Sequence, residues 1–114
     1  MSDQILKNIE MAKALDLTAL VSYQDGQIVS RTLSQNVAVS ITLFAFDKGE
    51  EISSHESKGD AMVFVLDGEA SITIGETTHA VKGGQSIVMP ANVPHAVLAA
   101  TCFKMMLVVV FPEK

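Results

Sequence analysis

Tryptophan is absent from this chain, cysteine and tyrosine occur once each, and proline occurs three times in 114 residues. The lone Cys102 can form no internal disulfide and has no CxxC partner. A disulfide scaffold and a paired-cysteine metal or redox site are thereby excluded. Basic residues are few as well: eight Lys and Arg stand against thirteen Asp and Glu, a net charge of −5. They are scattered singly, so no stripe exists to track a phosphate backbone, and nucleic acid is not an expected partner. Long apolar runs are also missing. The most apolar stretch, Ala96 to Phe111, is interrupted by Thr101 and Lys104 and falls short of the ~20 residues that a spanning helix needs, so no membrane is expected either. Asp3, Lys7, Glu10 and Lys13 break up the beginning of the sequence and leave no apolar h-region for secretion. These absences point to the cytoplasm.

What is present is apolar surface: 48% hydrophobic residues, enough for a real core in one small domain. From residue 3 to about 15, Ile5, Leu6, Ile9, Ala12 and Leu15 recur at helical spacing behind Ser2 or Asp3 as N-cap, which predicts a short amphipathic helix. After Leu17 the texture changes to β-branched runs separated by turn residues. Strands are predicted over Gln27–Leu33, Val37–Phe46, Met62–Leu66, Ala70–Ile74, Thr78–Val81 and Ser86–Met89, then through Ala96–Phe111 with a break near Ala100 and Thr101. Seven or eight short strands with no helical pattern between them indicate an all-β sandwich or barrel. Residues 1–36 are read as a helix and leading strands belonging to the same domain as the barrel of residues 37–114.

Two spaced blocks carry the chemistry. The first runs Gly49-(x5)-His55-Glu56-Ser57-(x3)-Ala61-(x6)-Gly68, and the second Gly84-(x5)-Pro90-Ala91-Asn92-(x2)-His95-(x3)-Ala99. In order and separation they resemble the two blocks of the cupin superfamily, Gly-x5-His-x-His-x3-4-Glu-x6-Gly and Gly-x5-Pro-x-Gly-x2-His-x3-Asn. The resemblance extends from about Val37 to Phe111. It implies an all-β double-stranded β-helix, a small jelly-roll barrel with the short helix in front of it. It also implies a metal held by two histidines and a glutamate of the first block and one histidine of the second. Carried across, that set keeps His55 and His95, puts Ser57 in place of the second histidine and Ala61 in place of the glutamate. Two imidazoles are fewer than the three protein ligands usual at a catalytic transition metal.

Alternation along a strand sends Ser57 and Ala61 to the same side as His55, and Glu56 and Asp60 to the other, unless a bulge near Gly59 resets the phase. Cys102, with only Lys104 as a cationic neighbour, reads as an inert thiol, and His79 as a half-exposed strand residue. The methionines read as core filler that could also line an adaptable cavity. Strands apolar on both faces, such as Val63–Leu66, need an outer cover, and a second copy of the chain is the expected one, giving a homodimer. Three functions follow. One is a barrel that binds a small molecule among His55, Ser57 and His95. Another is a cupin-type isomerase or dioxygenase with a weakly bound divalent transition metal on His55 and His95. The last is a structural dimer without a ligand.

Overall fold

The computed structural model describes residues 5–113. Nine strands follow one another: β1 Ile28–Gln35, β2 Val39–Phe46, β3 Glu51–His55, β4 Asp60–Asp67, β5 Glu69–Ile74, β6 Thr77–Lys82, β7 Ser86–Met89, β8 His95–Ala99 and β9 Phe103–Val110. They build a five-stranded sheet in the order β1-β2-β9-β4-β7 and a four-stranded sheet in the order β3-β8-β5-β6. Every pairing is antiparallel. After β2 the chain changes sheet at each connection except the β5–β6 hairpin. This is the double-stranded β-helix expected of the two blocks.

The alternation of β4 shows why these residues form a sandwich. Ala61, Val63 and Val65 are buried between the sheets, whereas Met62, Phe64 and Leu66 project from the outer face. Facing them in the core are Ala70 and Ile72 of β5, Val97 and Ala99 of β8, and Val81 of β6. Phe46 and Phe103, register partners on β2 and β9, stack at 4.5 Å between ring centroids and close one end of the interior.

The predicted N-terminal helix does not form. Residues 5–15 contain no helix, and a single 3₁₀ turn, Leu17–Leu20, is the nearest helical element; Ser2 and Asp3, the expected caps, lie outside the described residues. Asn8 and Ala12 take φ of 60° and 53°, which a right-handed helix cannot contain. The segment instead lies along β1. The Lys7 N–H donates to the Leu33 carbonyl at 2.8 Å, Asn8 Nδ2 donates to the Thr32 carbonyl at 2.8 Å, and Arg31 Nη1 returns a bond to the Asn8 carbonyl at 3.1 Å. A helix this short is marginal in isolation, so edge pairing and packing override its propensity.

This arm is also the cover for half of the outer face. Ile9, Leu17, Leu20, Val21 and Tyr23 pack with Leu33, Leu43, Ala45 and Met106 in a second apolar cluster outside the five-stranded sheet. Part of the cover that the sequence assigns to a second copy is therefore supplied by the chain itself.

Candidate functional site

His55 ends β3 and His95 opens β8, and the two are register partners. Between Ile52, opposite Val97, and His55, opposite His95, β3 holds one residue more than β8. Without that bulge, strict alternation from Ile52 would send His55 outward; with it, Ile52 and His55 both face the interior. The rings meet edge to face with centroids 4.3 Å apart. Both line a cavity of about 290 Å³ whose walls are chiefly apolar, with Ile52 and Val97 on one side and Met89, Met105 and Val109 on the other. A shallower groove of about 360 Å³ beside Val37, Phe111 and Pro112 is larger, but among the described residues the only side chain with a polar head lining it is Glu113.

Each histidine is oriented by its own backbone. Nδ1 of His55 lies 2.9 Å from the Ser53 carbonyl and Nδ1 of His95 lies 3.2 Å from the Val93 carbonyl. A ring nitrogen facing a carbonyl oxygen must carry the proton, so in the neutral ring Nε2 is left as a hydrogen-bond acceptor. His55 is exposed at the mouth and His95 is buried, only 3% exposed. Burial is the main reason the His95 imidazole is held below its ordinary value of 6.5; the bond to Val93 opposes the shift and the charge of His55 adds to it. No buried side-chain nitrogen or oxygen among the described residues lacks a partner. Nε2 of His95, which has no hydrogen-bond partner among them, therefore faces the open cavity.

The neighbouring positions divide. Ser57 sits in the loop after β3, half-buried, and lines the cavity; its hydroxyl oxygen accepts the Gly59 N–H at 3.2 Å and its carbonyl accepts the Asn92 N–H at 2.8 Å. Ala61 also lines it, paired with Met89 and Val109. Asp60 turns away, as alternation requires, and accepts the Ala91 N–H at 2.8 Å. Glu56, exposed in the loop just beyond β3, borders the cavity but forms no group of three with the two histidines among the described residues. His79, half-buried on the edge strand β6 opposite Ile72, is not part of the lining. Cys102 is half-buried elsewhere, its thiol donating to Asp47 at 3.3 Å.

A profile of the Cupin domain family matches residues 42–111. The chain belongs to this family. Among solved structures this cupin is similar to a conserved protein of unknown function, SPY1581, from Streptococcus pyogenes, 53% identical over 100% of this chain and 98% of that one, with a TM-score of 0.95. It is also similar to a cupin superfamily protein, DSY2733, from Desulfitobacterium hafniense, 32% identical over 94% of this chain and 98% of that one, with a TM-score of 0.89. An uncharacterized protein of Streptomyces coelicolor, SCO3923, is 32% identical over 70% of this chain and 74% of its own length.

The metal set that the cupin resemblance implies can be tested on the donors themselves. Among the described residues no group of three or more histidine, cysteine, aspartate or glutamate side chains is arranged to hold an ion. The position of the missing glutamate is the methyl group of Ala61, set against the apolar side chains of Met89 and Val109. Two imidazoles without a third side-chain ligand beside them do not fit a divalent centre of three or four protein ligands.

Proposed function

We propose that this cupin binds a small molecule in the cavity between the sheets, with His55, His95 and Ser57 as the hydrogen-bonding groups. The observation that carries the reading is the convergence of two imidazoles at 4.3 Å on a cavity with chiefly apolar walls. Apolar walls supply most of the contact to a ligand, and a few convergent polar groups fix its orientation. A neutral, buried His95 presents an acceptor that requires no proton to be removed first. The proposal sets the protein in the cytoplasm, a location that the free thiol of Cys102 suits. Among the described residues no helix is long and apolar enough to cross a membrane.

The test combines elemental analysis of the purified protein with a small-molecule fragment screen followed by methyl and imidazole NMR signals. It is run on the wild type, His55→Ala and His95→Ala. Hits should move the signals of Ile52, Val97 and Met105 in the wild type and weaken at least tenfold in both variants. Stoichiometric divalent metal in the wild type, lost in both variants, would replace this reading with the metal-dependent isomerase or dioxygenase. Absence of any shift at the cavity would leave a structural role.

A further inference from the structure

The polar atoms that line the cavity are unevenly divided between donors and acceptors. Both histidines have Nδ1–H committed to a backbone carbonyl, so each offers the cavity an Nε2 lone pair. Glu56, an acidic residue, also borders the space. Ser57 is the one lining side chain with an O–H to give, and its oxygen already accepts the Gly59 N–H. Among the described residues no lysine or arginine lines the space, and every remaining lining side chain is aliphatic or a thioether. Four backbone amides of the two loops nearest the histidines are already taken: Gly59 bonds to Ser57, Ala91 to Asp60, Asn92 to Ser57 and Val93 to Pro90.

Among the lining side chains, an anionic head placed here would exchange a full water shell for one hydroxyl group and no cation. A buried charge without partners is among the costliest things a site can hold. The net charge of −5 repels the same ligand at long range. A ligand that brings its own N–H or O–H groups meets two imidazole acceptors, and its apolar body meets Ile52, Val97 and Met105. We infer that the cavity selects a donor-bearing ligand, an alcohol or an amine on a small apolar body, and rejects carboxylates. The inference rests on the proposal that this cavity is the ligand site.

Three probes with one cyclohexyl body separate the possibilities: cyclohexylamine, cyclohexanol and cyclohexanecarboxylate. Each is titrated into the intact protein at about pH 8, above the ordinary imidazole range, with affinity read from cavity methyl shifts and from the ¹⁵N shift of the His95 Nε2 signal. The amine and the alcohol should bind at least tenfold tighter than the carboxylate and should move the Nε2 signal. His55→Leu, a change at the exposed mouth, should narrow that preference at least threefold. A carboxylate that binds as well as the other two overturns the ligand class and leaves the cavity as the site. Three probes that move no cavity signal overturn the site together with the class. An unchanged preference in His55→Leu removes the imidazoles as the selecting groups and overturns the inference.

Discussion

His95 couples the cavity to the pH dependence of folding. Its folded-state affinity for a proton is lowered, chiefly by burial, whereas the unfolded chain titrates near the ordinary 6.5. Between the lowered value and 6.5 the unfolded state binds more protons, so stability rises with pH across that window and falls as the solution is acidified through it. Urea unfolding at about pH 7.5 and pH 5.5 should show a lower midpoint at the acid end, and His95→Gln should flatten the difference; an equal slope in the variant would remove His95 as the cause. Gly68 poses a steric question instead. It sits at φ 76° in the β4–β5 turn, and a Cβ there would lie 2.0 Å from the carbonyl oxygen of Cys102 and 2.9 Å from the Cα of Phe103. Both are backbone atoms and cannot swing aside. Gly68→Ala should cost roughly 3 kcal/mol in a denaturant titration, from the left-handed φ and the clash together. At this scale the sequence was partly readable. The block spacing located His55, Ser57 and His95 around one space, but the bulge between Ile52 and His55 that turns His55 inward is marked by no residue pattern.

Among the elements, the arm before β1 is the piece most dependent on a few contacts. Tyr23 Oη donates to Asp67 at 2.5 Å, and Lys104 Nζ lies 4.8 Å over the Tyr23 ring while donating to the Thr18 carbonyl at 2.6 Å. Burial, then the hydrogen bond and charge of Asp67, raise the Tyr23 phenol well above its ordinary 10.0. The stabilisation is therefore complete below pH 10 and is lost in stronger alkali. Tyr23→Phe should cost about 1 kcal/mol at neutral pH in the same titration, without moving cavity signals. Most strands were legible because their β-branched runs sit between turn residues. β3 was missed because Glu51–His55 is an edge strand with four of its five residues exposed and little apolar pattern to betray it. The helix was misread for the opposite reason: the apolar spacing of Ile5 to Leu15 is genuine, but bonds from the Lys7 N–H to Leu33 and from Arg31 to the Asn8 carbonyl claim the backbone first.

For the molecule as a whole, the uncovered half of the outer face is the feature that bears on assembly. Val88, Met62 and Val108 stand in register across β7, β4 and β9, with Met62 36% and Val88 48% exposed. The row is free of charge on a chain with a net charge of −5, so two copies can meet face to face there without repulsion, and an isologous pair needs such a self-complementary patch. We propose a homodimer through this row. Met62→Glu combined with Val88→Glu should convert it to a monomer in light scattering at matched concentration; a wild type that is already monomeric ends the proposal. The other sheet holds a different consequence. β3 is laddered to β8 alone, and that ladder slips between Ile52 and His55. The doorway to the cavity can thus part by surrendering a few edge hydrogen bonds, while the floor formed by Met105 and Val97 stays clamped within central strands, so a guest could enter without the barrel coming apart.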